Sequence, residues 1–240
     1  EVMNLPPNPR APYVGYSAFA HKGGMHIDGV VKDAASFEHI SPEAVGNQRR
    51  FLLSEQVGRT GVYARLKRLL PDISRDDPRV KRVTERLKRR ELRGYAYESA
   101  DGSFDLMALD TLGMSKRYFE VRDFHVLSGN QRDERSAQAY IKVSVDGREE
   151  INAAEGDGPV NALALRKALL VFYPQVERMR LRDFKVRVID SGGTASVVRV
   201  LIESTDGSHV WTTTGVSSNI IQACLAALQD SLTYFLTFVA

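Results

Sequence analysis

The chain has 240 residues, of which 43% are hydrophobic and 26% are charged, and its formal net charge is +3. This composition is typical of a soluble globular protein with one large domain or two ordinary ones, and it gives little support for nucleic-acid binding. Because Cys224 is the only cysteine, an internal disulfide is excluded and a reducing cytoplasm is favoured. No run approaches the roughly 20 apolar residues that span a bilayer, so no membrane partner is expected.

Residues 1–50 form the first of three regions and are predicted to consist mainly of loops. Several prolines and the Gly23-Gly24 pair interrupt any long periodic segment. The chain opens with Glu1-Val-Met and a proline-rich stretch instead of an initiator methionine. We therefore expect it to be the C-terminal piece of a longer polypeptide.

Residues 51–117 form the second region, which is predicted to be helical and basic. A first helix begins at Ser54-Glu55 and is ended by Pro71. Its apolar residues recur at helical spacing, so we expect them to face a core. These residues are Val62, Leu66 and Leu69.

A second helix of this region begins with Asp77 as its N-cap and Pro78 as its first helical residue, and Gly94 stops it. Its basic run, residues 79–90, invites a nucleic-acid interpretation. No aromatic residues interleave with the basic ones, and the apolar residues occupy one face. We therefore interpret the run as a solvated helix face and expect no nucleic-acid partner. The inward residues are Val80, Val83 and Leu87.

Residues 118–240 form the third region, where the apolar period changes to that of β-strands. Apolar and polar residues alternate around Ile141, Val143 and Val145, and the Asp146-Gly147 dipeptide that follows predicts a hairpin. Two further segments alternate in the same way, and a second Asp-Gly dipeptide repeats the turn. These further features are Phe184, Val186 and Val188; Val198, Val200 and Ile202; and Asp206-Gly207.

A glycine-bearing loop and an amphipathic helix follow each hairpin, so the third region carries one pattern twice. The helix stripes are Leu165, Leu169 and Phe172 in the first, and Ile221, Leu225, Leu228 and Leu232 in the second. We expect an α+β fold in which helical linker subdomains precede two pseudo-symmetric βββα units. In that fold two helices cover one face of a sheet. The open sheet edges or the helix-free face would favour a homodimer.

Several stretches of the third region resemble the C-terminal regulatory domain of the 2-isopropylmalate synthase family. They are Asp183–Ile189, Gly193–Ala195, Arg199–Ser204, Trp211–Thr213 and Gly215–Ile221, with Gly156–Asn161 similar to the matching loop of the first half. Upstream, Ser17–Gly29 resembles the segment that follows the catalytic barrel. The stretches more similar to citramalate synthases than to true isopropylmalate synthases are Val45–Arg50, Leu53–Glu55, Gly94–Glu98 and Gly102–Leu106.

The resemblance implies an acyl-CoA-dependent acyltransferase. Family members condense acetyl-CoA with a 2-oxo acid by a Claisen-type addition and then hydrolyse the thioester. The 2-oxo acid is pyruvate in citramalate synthases. The reaction takes place on a TIM barrel that holds a divalent metal. Leucine or isoleucine inhibits them through the C-terminal domain. Residues 1–50 and 51–117 would be linker subdomains, and residues 118–240 an effector-binding and dimerisation domain. Because the barrel is absent here, we expect the chain alone to be inactive and to hold no cofactor.

Two histidines, His21 and His26, lie on either side of the Gly23-Gly24 pair. A metal pair is one interpretation, but no carboxylate or cysteine has ligand-like spacing to them. A histidine that merely caps a turn is the plain alternative. The resemblance implies that His26 reaches the neighbouring subunit's active site as an acid/base or water-activating group. Asp28 would then orient its ring or cap a helix.

Arg49, or its neighbour Arg50, lies where isopropylmalate synthases carry a tyrosine after the Val-Gly pair. An arginine stays protonated and cannot copy the proton chemistry of a tyrosine. We interpret Arg49 as a residue that contacts the acidic CoA or binds a carboxylate.

The loop around Gly156 is predicted to bind the effector. It lacks the frame of a dinucleotide site, but a helix N-terminus offers N–H groups to an amino acid's carboxylate. An ordinary glycine-rich helix entry is the alternative, and the similar Gly215–Asn219 loop favours a site. A branched effector also needs a small apolar pocket, whose residues could equally be plain core. The candidates are Gly156, Asp157, Gly158, Val160, Asn161, Leu181, Phe184, Val188, Thr194 and Ala195.

The favoured hypothesis is therefore the accessory and regulatory part of a citramalate synthase that senses isoleucine or leucine. Two alternatives stay open: the same region of a 2-isopropylmalate synthase, and a stand-alone amino-acid-binding module without an enzymatic partner. A nucleic-acid-binding protein rests on the basic helix alone. The sequence determines neither the 2-oxo acid nor the choice between leucine and isoleucine.

Overall fold

A computed structural model describes residues 8, 10–15, 17–21, 24–51, 59–128, 137–156, 162–189 and 196–240. The chain divides into two compact units, one made of Glu1–Arg89 and Tyr97–Ser99 and the other of Arg90–Ala96 and Ala100–Ala240. The predicted division after residues 50 and 117 stays a prediction. Among the described residues, none of the helices combines the length and the apolar character that crossing a membrane requires.

The first unit is built from helices, short 3₁₀ turns and one parallel pair of two-residue strands. Strands β1 (Ala20–His21) and β2 (Arg50–Phe51) pair with each other. The other elements are α1 (Gly24–Lys32), 3₁₀ turns at Ala34–Ser36 and Pro42–Val45, α2 (Arg59–Leu69) and α3 (Pro78–Glu91), whose last two residues count with the second unit. Helix α1 packs against α2.

Helix α3 begins and ends as its sequence predicts. Pro78 is its first residue, and Asp77 Oδ1 accepts a hydrogen bond from the Arg79 N–H at 2.8 Å. At the other end Gly94 has φ +95°, a left-handed conformation that favours glycine, and its N–H donates to the Glu91 carbonyl. The predicted inward residues Val80, Val83 and Leu87 are buried.

Helix α2 agrees with its prediction only in part, because the predicted start at Ser54-Glu55 lies outside the described residues. The described helix ends at Leu69, before Pro71. Val62 and Leu66 are fully buried, as the apolar stripe predicts, and Leu69 is half-buried.

The second unit begins with helix α4 (Asp101–Thr111) and continues with two βββα halves. The first half is β3 (Glu120–Ser128), β4 (Ala137–Val145), β5 (Arg148–Gly156) and α5 (Ala162–Leu170). After a 3₁₀ turn at Pro174–Arg178, the second half is β6 (Arg180–Val188), β7 (Val198–Thr205), β8 (Val210–Ser217) and α6 (Ile220–Phe238). The predicted α+β class with two pseudo-symmetric units is confirmed.

The single sheet expected for this region is not found, because its described strands form two separate antiparallel sheets. Their orders are β3-β4-β5 and β6-β7-β8, and each half pairs only its own strands. Helix α5 packs on β4 and β5, while α6 packs on β7 and β8. Both halves nevertheless contribute to one hydrophobic core. Its members include Ile141, Val143, Leu165 and Leu169 from the first half and Val200, Ile202, Leu228 and Leu232 from the second.

The first strand of each half carries the same short sequence and the same irregularity. Arg122-Asp-Phe124 in β3 and Arg182-Asp-Phe184 in β6 repeat each other. In each strand the pairing shifts at the arginine, between Val121 and Asp123 and between Leu181 and Asp183. One extra residue shifts the alternation of faces by one position, so that two residues three apart across the bulge lie on the same face. Leu181 and Phe184 therefore face the same side of their sheet.

The two predicted Asp-Gly turns differ in length. Asp146 and Gly147 have φ values of +48° and +80° and close β4 onto β5 as a two-residue turn, as predicted. The second turn is longer than predicted, because Thr205 pairs with Val210 and leaves four residues, 206–209, between the strands. Asp206 Oδ1 accepts hydrogen bonds from the Ser208 and His209 N–H groups, which stabilises the wider loop.

A half-buried carboxylate joins α4 to α6 in the second unit. Asp230 Oδ2 accepts a hydrogen bond from Ser103 Oγ at 2.6 Å, and Ser103 Oγ accepts one from the Thr214 N–H at 2.9 Å. Burial raises the pKa of Asp230 to about 6, although the Ser103 hydrogen bond and the charge of Arg90 act in the opposite direction. The folded chain therefore holds this proton at a pH where an exposed aspartate has lost it.

Replacing Asp230 by Asn should flatten the pH dependence of stability. Between pH 4 and 6 the folded state binds the Asp230 proton more tightly than the unfolded state, so the unfolding free energy falls as pH rises through this window. We expect Asp230→Asn to remove this slope and, above pH 7, to be more stable than wild type by on the order of 1–3 kcal/mol. Urea unfolding at a series of pH values measures both. Asp76→Asn, at a side chain that is 95% exposed, is the control, and an unchanged slope in Asp230→Asn would contradict the prediction.

Candidate functional site

The side chains of His21 and Arg49 meet at Glu38 in the first unit. His21 lies on β1, Arg49 directly precedes β2, and the parallel pairing of these strands brings both to Glu38, which follows the first 3₁₀ turn. Glu38 Oε1 lies 2.8 Å from both His21 Nε2 and Arg49 Nε, and Glu38 Oε2 lies 2.6 Å from Arg49 Nη2. The Arg49 contact is bidentate, the strongest arrangement of this pair.

Glu38 is the buried centre of this cluster, and its partners reach outward. The Glu38 side chain is 4% exposed, whereas that of Arg49 is 30% exposed. The hydrogen bond from Arg49, supported by the one from His21, lowers the pKa of the Glu38 carboxyl despite its burial. The same pairing raises the pKa of Arg49. Both groups therefore stay ionised across the physiological pH range.

His26 lies in the first turn of α1 and is exposed. The centroid of the His26 ring is 4.8 Å from that of the Phe37 ring. The Phe37 ring packs on α1 at Gly29. A Cβ at Gly29 would come within 2.3 Å of Phe37 Cε2, so only glycine leaves room for this ring. The structure thus holds the His26 ring from one side while leaving the side chain accessible.

Asp28 does not take the role expected for it. Its carboxylate binds Lys32 Nζ at 2.7 Å and Arg75 Nη1 at 3.2 Å. These two cations, with the Lys32 hydrogen bond as the largest influence, lower its pKa. Among the described residues, the contacts of Asp28 therefore connect α1 to the segment after α2. They neither orient His26 nor cap a helix.

A metal pair of His21 and His26 finds no support in the geometry. The Nε2 atom of His21 binds the Glu38 carboxylate. Among the described residues, no group of three or more His, Cys, Asp or Glu side chains is placed to hold a metal ion. The divalent metal that the resemblance implies therefore stays a prediction for a part of the protein outside this chain.

The predicted effector residues are only partly described. Asp157, Gly158, Val160, Asn161, Thr194 and Ala195 lie outside the described residues, and Gly156 is the last residue of β5. Leu181, Phe184 and Val188 lie on β6 and share the face of Val200 and Ile202. They are 52%, 36% and 59% exposed, so they are not plain core. Their role as effector ligands stays a prediction.

The Gly215–Asn219 segment, whose similarity to the Gly156 loop favoured an effector site, has a structural role in the second half. Asn219 caps α6, because its side-chain oxygen accepts hydrogen bonds from the Ile221 and Gln222 N–H groups. A Cβ at Gly215 would lie 2.0 Å from the Ala223 carbonyl oxygen, so this glycine lets α6 approach β8. At this second loop the ordinary helix entry is the better description.

Sequence reasoning predicted His26 and Arg49 as site residues, and that stays a prediction, but it did not single out Glu38. No periodic pattern or motif marks a single glutamate between Phe37 and His39. Its importance comes from tertiary contacts, since its two partners lie 17 and 11 residues away along the chain.

The comparisons with known proteins agree with this architecture. Residues 98–236, which include both βββα halves except the last two residues of α6, match the LeuA allosteric (dimerisation) domain. Residues 13–93 match the homocitrate synthase post-HMGL domain-like family. The chain therefore belongs to the family of the LeuA allosteric (dimerisation) domain, with a post-HMGL-like region before it. The resemblance to the 2-isopropylmalate and citramalate synthases is confirmed.

The relatives sharpen the family assignment. The chain is 44% identical to the (R)-citramalate synthases of Aquifex aeolicus and Geobacter sulfurreducens, in each case over 98% of this chain and 45% of the relative. It is 43% identical to the (R)-citramalate synthase of Streptomyces coelicolor over the same shares. The chain thus spans about half the length of the curated relatives that it matches.

Replacing Gly29 by Ala should displace the Phe37 ring from α1. The added Cβ leaves no space for Phe37 Cε2, so we expect a loss of on the order of 1–3 kcal/mol in stability. The ring resonances of His26 should shift, because an aromatic neighbour moves away. Thermal unfolding and proton NMR of His26 measure the two effects.

Gly46→Ala is the matched control within the same unit. Gly46 has φ +70°, and a Cβ added there would meet no atom of the described residues within 4 Å. The substitution should therefore cost about 1 kcal/mol through backbone strain alone. The His26 resonances should not change in that variant. Unchanged His26 resonances in Gly29→Ala would show that Phe37 does not pack there.

Proposed function

We propose that this chain is the C-terminal accessory and regulatory part of a citramalate synthase, which condenses acetyl-CoA with pyruvate. The main support is the 44% identity to (R)-citramalate synthases along 98% of the chain, together with the match to an allosteric domain family. The described residues contain no group placed to hold a metal, and the chemistry is assigned to a catalytic barrel outside this chain. The chain by itself is expected to be inactive.

The catalytic contribution of the chain is assigned to His26 and Arg49. His26 is exposed on the first turn of α1, where it is accessible to a neighbouring subunit, and histidine suits acid/base work near neutral pH. Arg49 is permanently charged and part-exposed, which suits binding of an anionic group of acetyl-CoA or of the 2-oxo acid. In this proposal both act on the active site of the partner in a homodimer.

The second unit is assigned to effector binding and dimerisation. The exposed apolar face of β6, formed by Leu181, Phe184 and Val188, offers a surface for a branched aliphatic side chain or for a second copy of the unit. The family name supports dimerisation. Isoleucine is the proposed inhibitor, with leucine as the alternative, and its binding would change the placement of His26 over the partner's active site. The single cysteine supports a cytoplasmic location.

The catalytic assignment is tested on the full-length polypeptide that contains this chain. We expect release of free CoA from acetyl-CoA with pyruvate, and His26→Ala should lower kcat by about 10²–10⁴-fold because acid/base help is lost. Met25→Ala, at the adjacent and 87% exposed position, is the control and should keep wild-type kcat. A spectrophotometric thiol assay measures both.

Two outcomes would count against the proposal. A strong preference for a longer branched 2-oxo acid over pyruvate would move the assignment to a 2-isopropylmalate synthase. Wild-type kcat in His26→Ala would remove the catalytic role of this chain and leave only a regulatory one.

A further inference from the structure

We propose that Glu38 is a positioning residue for the reaction, because it fixes Arg49 in the orientation in which Arg49 binds an anionic oxygen of a substrate. The inference rests on the proposed function, since it concerns the same active site. Glu38 itself touches no substrate in this proposal and acts through Arg49.

The geometry of the ion pair determines which edge of Arg49 is held. Glu38 takes the Nε and Nη2 groups, two of the three nitrogens of the guanidinium. A guanidinium can bind a second anion through the edge formed by its two Nη groups. With its inner edge fixed on a buried carboxylate, Arg49 presents that outer edge on a side chain that is 30% exposed.

The burial pattern favours a functional role over a purely structural one. Replacing a buried ion pair by well-packed apolar residues of similar volume is often neutral or stabilising, so fold stability alone is a weak reason for such a pair. Here the carboxylate is 4% exposed and the arginine 30%, so the anion is enclosed while the cation is accessible. That arrangement maintains a fixed positive charge at the surface of the unit.

Glu38 directly follows Phe37, the residue whose ring packs against His26. The centroids of the Phe37 and His26 rings are 4.8 Å apart. One dipeptide therefore holds both residues that the proposed function assigns to catalysis, His26 through Phe37 and Arg49 through Glu38. His21 adds a third hydrogen bond to the same carboxylate and keeps it in place.

A double-mutant cycle on the full-length polypeptide tests the inference. Arg49→Ala should raise the KM of one substrate by about 10- to 100-fold, the effect of losing a hydrogen bond to a charged group. Glu38→Gln should raise the KM of the same substrate, with a smaller change in kcat, because Arg49 loses its fixed orientation. The double variant should be no worse than Arg49→Ala alone, since Glu38 acts through Arg49. Separate titrations of acetyl-CoA and pyruvate identify the substrate.

The controls separate positioning from folding. Asp72→Asn changes an exposed carboxylate in the same unit and should leave both KM values unchanged. Glu38→Asp keeps the charge and should restore part of the lost affinity, and circular dichroism checks that each variant is folded. If Glu38→Gln is unfolded, Arg49→Lys replaces it, because lysine keeps the charge but loses the bidentate contact and should raise the same KM.

The possible failures are distinguishable. A wild-type protein that releases no CoA with any 2-oxo acid overturns the proposed function itself. An active wild type with unchanged KM values in folded Glu38→Gln, or with effects of Glu38→Gln and Arg49→Ala that simply add, overturns the positioning role of Glu38 alone.

Discussion

The shared hydrophobic core of the two βββα halves is the constraint on which the second unit depends. A three-stranded sheet with one apolar face is not stable until that face is covered. Here residues of both sheets and both helices, such as Val143, Leu169, Ile202 and Leu232, belong to one buried cluster. Each fully buried side chain of this size contributes about 1.5–3 kcal/mol. Neither half can therefore be regarded as an independent domain.

Three polar side chains beside this core pair with one another, which makes the packing specific. The Trp211 Nε1–H donates to Ser231 Oγ at 2.9 Å, and the Ser204 and Ser231 hydroxyls lie 2.8 Å apart. A buried polar group left without a partner would cost about 1–3 kcal/mol. Gly215 completes the arrangement by allowing α6 to approach β8. Since α6 packs on β7 and β8, the apolar face of β6 stays exposed within the described residues of one chain.

The sequence predicted those features that depend on local chemistry. The Asp146-Gly147 turn, the Asp77 cap and the Gly94 stop each follow from the conformations that these residue types allow. Features that depend on tertiary structure were missed or predicted incorrectly. Two sheets formed instead of one because strand pairing between distant segments leaves no local signal. The bulge at Arg182 moved Leu181 onto the face of Phe184, and Glu38 acquired its partners only through folding.

Calorimetric titration of isoleucine, leucine and valine, each into the 240-residue chain, tests the central claim that this chain senses the end product of its enzyme. We expect saturable binding of isoleucine to a folded dimer, with little or no heat from valine. Binding of leucine alone would instead indicate the regulatory part of a 2-isopropylmalate synthase. If a folded dimer binds none of the three, the effector-sensing role is contradicted and only a structural role for the second unit is left.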